Sequence, residues 1–285
     1  MKARISVVVP ATSEERLKNL IRSLSRQTFK PCEIIMVIKG VNVSDVEELC
    51  RAYSLNCIII EQKKCFVTHA LNIGKKIAQG DVVIFTDDDA IALPKWLERY
   101  VKLHRLYGVK VGCVSSRDIY VNMETFKIMT TPDDMLYVKL YRYLVRPLLE
   151  LPHPLLKRYR LGVYITRSFK IAVGPCIPNR TCFSLPFRGV NMSFKREALD
   201  DIVFPEHPLL RRYLGWEQYV GLQLVLRGWD CIYVSDNPIL HIVRRNLSRV
   251  SKSDRREILR EYEVMRALYK KLLDKCAHEV KRKTD

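Results

Sequence analysis

With 285 residues, the chain is long enough for one large domain or for a domain with an appendage. Its 48% hydrophobic and 28% charged content exclude disorder over the whole length, and no run reaches the roughly 18 apolar residues of a membrane-spanning helix. A net charge of +18 excludes a neutral surface and points to phosphorylated substrates, anionic lipid or nucleic acid as partners.

The charge is concentrated. Eight basic residues against one acid, Glu150, fall between Lys139 and Lys170, and fourteen basic against seven acidic residues between His241 and Asp285. The first apolar run, residues 5–10, is too short for a signal peptide, so the expected location is the cytoplasm, free or peripheral on the membrane face. Nine cysteines, an odd number without CxxC spacing, are expected to be free thiols in a reducing compartment; Cys50 with Cys57 and Cys176 with Cys182 are the nearest pairs for a bridge.

In chain order, residues 5–9 are a β-branched run closed by Pro10, a buried strand. Leu17, Leu20, Ile21 and Leu24 follow at helical spacing. Residues 33–38 give a second strand ended by Gly40, and Ser44 with Glu47 predicts a capping box for the next helix. Residues 57–60 are a third strand, 69–78 a helix, and 81–86 a fourth strand that runs into Asp87, Asp88 and Asp89. Pro94 is expected in the first turn of a helix through Trp96, Leu97, Tyr100 and Leu103. Alternating strands and helices of this length predict an α/β fold around a parallel sheet.

Prolines interrupt residues 118–186, where 135–149 is amphipathic with basic flanks and 163–173 can supply strands. Residues 216–227 then predict a helix ended by Gly228, before a strand over 231–234. Ile258, Tyr262, Met265, Tyr269 and Leu272 predict a C-terminal surface helix with one apolar stripe.

The acidic triplet carries the chemistry. It stands at the carboxyl end of a buried strand, where open α/β sheets bind ligands, and Asp87 and Asp89 can face one site. Adjacent carboxylates repel unless a cation is present, and hard oxygen ligands suit Mg²⁺ or Mn²⁺ shared with substrate phosphates.

Residues 70–74, 80–90 and 94–98, with 5–10, 23–28 and 33–35, resemble the family 2 glycosyltransferases of GT-A fold. Residues 189–199 are similar to the acceptor-side segment of that family, and 215–241 to its closing helix, strand and histidine. The resemblance covers about 4–112 and 186–243. It implies a GT-A type, Rossmann-like, mostly parallel sheet flanked by helices over 1–243. The nucleotide-sugar half would be 1–112, the acceptor half 113–243, and 244–285 a basic helical extension.

The resemblance also implies roles. Asp87 and Asp88 would contact the donor, Asp89 and Asp87 the metal, and Pro10 with the loop after it the base pocket. Asn72 belongs with the donor side, or packs within its helix. Many members carry an acid after the second strand that helps hold the base; residues 37–40 contain none, so the base stays open between UDP and GDP. Glu217 takes the position of the catalytic base, whose alternative is to complement a helix N-terminus. His241 would reach the metal or diphosphate, and Arg244 and Arg245 the departing diphosphate. Asn191 and Trp216 fall on the acceptor side; Asn191 could equally be a turn residue, and Trp216 and Trp229 core residues.

The implied reaction is transfer of a sugar from a nucleoside diphosphate sugar to a hydroxyl or lipid-phosphate acceptor, metal-dependent and inverting. The acceptor is expected to be a saccharide, a polyprenyl phosphate or a glycolipid. Residues 141–149, basic and apolar together, could lie on an anionic membrane or pack on the sheet edge. The rival classes are a nucleotidyltransferase and a non-catalytic basic protein that binds nucleic acid or membrane. The loop over 10–15 has no glycine to cradle phosphates, and no zinc-finger, RNP or KH signature is present, so nucleic acid is not an expected partner.

Overall fold

A computed structural model describes residues 3–64, 67–125, 127–210, 214–242 and 252–284, with side chains of the last helix described over 255–275. The elements run β1 (Ile5–Ala11), α1 (Glu14–Ser25), β2 (Glu33–Ile38), α2 (Val43–Ala52), β3 (Cys57–Glu61), α3 (Val67–Ile77), β4 (Val82–Phe85), β5 (Ala90–Ile91) and α4 (Trp96–Leu106). They continue with β6 (Val111–Asn122), β7 (Lys127–Ile128), α5 (Leu136–Leu140), a π-helical turn (Tyr141–Val145) and α6 (Arg146–Leu149). Then come β8 (Val163–Ile165), β9 (Ile171–Val173), β10 (Cys182–Phe183), β11 (Met192–Lys195), α7 (Arg196–Leu199), α8 (Trp216–Leu226), β12 (Asp230–Ile242) and α9 (Lys252–Thr284).

The main sheet has the order β10-β12-β6-β11-β4-β1-β2-β3. β3, β2, β1 and β4 are mutually parallel, β11 lies antiparallel between β4 and β6, and β12 is parallel to β6. The chain passes from β1 outward through β2 to β3, then returns to the other side of β1 as β4. This reversal opens a crevice at the carboxyl ends of β1 and β4, the position where such sheets bind ligands.

Because a strand points successive side chains to opposite faces, β1 and β2 feed two cores. Val8, Ile35 and Val37 join Phe85, Phe194 and the residues of α8 on one face. Ile5, Val7, Val9, Ile34, Met36 and Ile38 join Leu17, Leu20, Trp96 and Tyr100 on the other. Burial on both faces is why these strands are continuous apolar runs rather than alternating ones.

Four local expectations are corrected. Helix α2 is capped by Asn42, whose Oδ1 accepts from the Ser44 amide at 3.0 Å; Ser44 lies inside the first turn and donates its hydroxyl to the same oxygen. Pro94 stands just outside α4, before the cap residue Lys95. Cys50 and Cys57 are joined as a disulfide between α2 and β3, while Cys176 and Cys182 remain thiols. The stripe of α9 is turned from the expected one. Met265, Tyr269 and Leu273 enter the core beside α8, and Tyr262 stays half-exposed, because the Tyr269 hydroxyl donates to the Gly215 carbonyl at 2.6 Å. The C-terminal helix is therefore packed into the α/β body. Among the described residues, no helix is long and apolar enough to cross a membrane.

Candidate active site

Strand β4 is buried throughout and delivers the triplet into the crevice. The central member does not face it alone. Asp88 accepts from Arg16 Nε at 2.9 Å and Nη2 at 2.8 Å, and from the Thr12 amide at 2.9 Å. This fork ties the loop after β1 to the triplet and neutralises one of three crowded charges.

Asp87 and Asp89 turn toward His241, and one ligand atom from each of the three lies within 4.8 Å of the others. The histidine arrives through strand pairing. β5 lies against β12, with Ala90 opposite His241, and the Ile242 amide donates to the Asp89 carbonyl at 2.9 Å. The imidazole is held from behind: Nδ1 lies 3.0 Å from Asp118 Oδ2, Nε2 lies 3.3 Å from Asp89 Oδ1, and the ring stacks on Tyr120 with centroids 5.0 Å apart. Burial opposes its charged form, but hydrogen bonds to Asp118 and Asp89 outweigh that and push its pKa up to about 10. Two carboxylates and an imidazole oriented by a third carboxylate form a donor set that fits a divalent cation, whose binding would displace the imidazolium proton.

The same cleft is lined by Glu217, in the first turn of α8. The helix begins at Gly215, whose φ of +89° is in the left-handed region that favours glycine. Glu217 Oε1 accepts from the Gly189 amide at 3.2 Å. A Cβ at Gly189 would lie 2.4 Å from Trp216 Cζ2, so only glycine lets that amide come so close. Burial raises the Glu217 pKa to about 7; Asp87 adds to the rise, and Arg188 and the Gly189 amide oppose it.

Pro10, Thr12, the triplet, Asp118, His241, Arg188, Trp216, Glu217 and Tyr262 all line one cleft of about 760 Å³. Six acids, Asp87, Asp88, Asp89, Asp118, Asp133 and Glu217, face it in a chain of net charge +18. A nucleoside diphosphate entering such a cleft needs a cation.

Other expected residues lie elsewhere. Asn72 is not brought to the cleft: its amide clamps the chain at Phe204 and Glu206 with three hydrogen bonds of 2.9–3.0 Å. Asn191 is fully buried as a hub, accepting from Trp96 Nε1 and the Tyr100 hydroxyl and donating to the carbonyls of Arg117 and Asn237. Trp229 packs beside Gly112 under Lys195, away from the cleft. Arg244 and Arg245 lie outside the described residues.

The structure adds Arg16, Asp118 and Arg188 to the site. Arg188 lies 2.9 Å from Asp133 and 3.7 Å from Asp118, and its charge is favoured by both acids although burial opposes it. Their partners are 55–123 residues away, so no local spacing announces them. Asp118 follows Ser115, Ser116 and Arg117 in β6, a polar stretch in which nothing sets it apart from an ordinary surface acid in the sequence.

Three comparisons place this architecture among known proteins. The chain is 28% identical over 104 residues to the glucosyl-dolichyl phosphate glucuronosyltransferase of Haloferax volcanii, covering 34% of this chain and 33% of that protein. It spans about a third of the length of the curated relatives it matches. A mannosyltransferase of Pyrobaculum calidifontis, solved with GDP-Man and Mn²⁺, superposes with a TM-score of 0.57 at 20% identity, covering 87% of this chain and 59% of that one. GalNAc-T7, solved with UDP, GalNAc and Mn²⁺, superposes with a TM-score of 0.64 at 16% identity, covering 92% and 48%. These likenesses establish the GT-A fold. The model of glycosyl transferase family 2 matches residues 6–173, more than half of the chain, and the chain belongs to that family.

Proposed function

We propose that the protein transfers a sugar from a UDP- or GDP-linked donor to an acceptor hydroxyl, with inversion, using Mn²⁺ or Mg²⁺ held by Asp87, Asp89 and His241. The observation that carries this reading is one cleft lined both by a cation-ready cluster and by a partly buried carboxylate of raised pKa.

The bound ion would offset the negative charge of the diphosphate as it departs. The remaining work falls to the chain. Glu217 accepts the proton of the acceptor hydroxyl as its oxygen bonds to the anomeric carbon, and the bond from that carbon to the diphosphate oxygen breaks on the opposite face. The products are the glycosylated acceptor, a nucleoside diphosphate and protonated Glu217. A phosphate acceptor already carries an anionic oxygen and has no need of this base. The geometry therefore favours a saccharide hydroxyl, free or on a glycolipid, over a polyprenyl phosphate. Pro10 and Thr12 at the end of β1 would meet the base and ribose, whereas Trp216, 7% exposed and packed on Phe204, belongs to the core that supports Glu217. The nucleotide sugars and Mn²⁺ bound by the structural neighbours support the donor class.

Thermal denaturation with UDP, GDP and their common sugar derivatives, each with and without Mn²⁺ or Mg²⁺, tests the donor side. One nucleotide should stabilise the protein only with metal, and Asp89→Asn should abolish that stabilisation. Equal stabilisation with and without metal would overturn the metal assignment. A product whose anomeric configuration matches the donor would overturn inversion.

A further inference from the structure

The helical segment over residues 136–149 is turned inside out. Its arginines point inward: Arg142 is 6% exposed and pairs with Asp133 and the Ile177 carbonyl, while Arg146 binds the Val173 carbonyl at 2.8 Å and Glu150 at 2.9 Å. Its apolar residues point outward in two adjacent ridges. Leu136, Leu140, Leu144 and Leu148 form one, with exposures between 50% at Leu140 and 79% at Leu148. Tyr137, Tyr141, Val145 and Leu149 form the other, all exposed. Monomeric soluble proteins rarely leave so long an apolar face to water, and a face of this kind marks an interaction surface.

Charge identifies the occupant. The three acids nearest the segment are each paired with an arginine: Asp133 with Arg142 and Arg188, Asp134 with Arg117, Glu150 with Arg146. From residue 151 to 196 the sequence contains no acid at all. The Arg167 amide donates to the Leu151 carbonyl, which sets the β8–β9 turn, with exposed Arg167 and Lys170, at the end of the apolar ridges. Leucine and tyrosine ridges bordered by exposed basic residues suit the headgroup boundary of an anionic bilayer. A second copy of the chain would bring a like charge of +18 against this one.

We propose that residues 136–149 seat the protein on an anionic membrane surface, with the cleft opening beside the headgroups. The inward arginines grip the cleft wall itself, through Asp133 and Val173, so the platform and the cleft form one rigid unit. Docking in this way would deliver a membrane-borne acceptor, a glycolipid hydroxyl, to Glu217. That last step rests on the glycosyl-transfer reading; the docking does not.

Flotation of the full chain with phosphatidylglycerol–phosphatidylcholine vesicles, and with phosphatidylcholine alone, tests the docking without any sugar nucleotide. The protein should float with the anionic vesicles, less so at high salt, and Leu144→Glu/Leu148→Glu should lower the partition coefficient by roughly tenfold or more. Metal-dependent nucleotide stabilisation should be unchanged in the double variant, which certifies its fold and separates this test from that of the donor site. Flotation of the double variant equal to that of the parent, or no flotation of the parent on anionic vesicles, would overturn the proposal. Self-association in sedimentation that the double variant abolishes would overturn it too, and assign the face to a second copy.

Discussion

Asp118 and Glu217 line the same cleft, the first buried and the second partly buried, and their acidities diverge. Burial opposes the charge of Asp118, yet the hydrogen bond from His241 and the charge of Arg188 hold its pKa below the usual carboxylate range. Burial opposes the charge of Glu217 as well, and the hydrogen bonds from its own backbone amide and that of Gly189, with the charge of Arg188, do not outweigh it, so its pKa rises to about 7. Partners, rather than depth, decide which carboxylate stays ionised and which is ready to exchange a proton near neutrality. Under the proposed reaction, the groups around His241 would hold positive charge and Glu217 would accept a proton.

The strongest way to break this contrast is Glu217→Gln. Steady-state rates should show kcat lower by about 10²–10⁴-fold, while nucleotide-and-metal stabilisation stays intact. A loss of both would make Glu217 a donor-site residue instead of a base. Beside His241, Asp118→Asn leaves Asp87, Asp89 and the imidazole in place but loosens the ring. Titration calorimetry should report a metal affinity weaker by about 10–100-fold, with a smaller effect on kcat at saturating metal.

The pH profile sharpens the contrast. The base must be ionised to act, so kcat/KM should rise about tenfold per pH unit below the Glu217 pKa of about 7 and level off above it. Arg188→Met removes a charge that favours the ionised form, and should move the rising limb to higher pH. Stability runs the other way. The unfolded Glu217 loses its proton near its ordinary value, about 4.3, whereas the folded one keeps it to about 7. Folding is thus favoured by this group at low pH, and that contribution is lost as pH rises through the window; Glu217→Gln should flatten the slope in chemical denaturation. The smallest effect expected is that of Gly189→Ala. Its Cβ would press on Trp216, and denaturation should show a loss of about 1–3 kcal/mol, with a fall in kcat as the amide withdraws from Glu217.

Most of the first hundred residues were legible because their signals are local. β1 through β4 are apolar runs, and Leu17, Leu20, Ile21 and Leu24, written at helical spacing, are all buried. The same reasoning went astray where side chains serve distant partners. Asn72 and Asn191 carry the chemistry of ligand contacts, yet their amides close chain segments more than a hundred residues away or tie four elements together. Asp118, Arg16 and Arg188 stayed hidden because the strand pairing that unites them with the triplet is set by the whole sheet. His241 was visible only through the family resemblance; β5, two residues long, is what brings it home. Residues 136–149 show amphipathic spacing, but spacing does not say which face looks inward, and here the arginines do.

The contact between Gly189 and Glu217 bears on how this protein tolerates mutation. A side-chain donor can vanish with one codon change, whereas a peptide N–H is present whatever residue occupies the position, proline excepted. What guards the proton acceptor is therefore shape: the gap between the backbone at 189 and the indole of Trp216. Variants that trim the indole should admit larger residues at 189 and keep the hydrogen bond, so that drift at these two positions is coupled, and neither can be scored by itself.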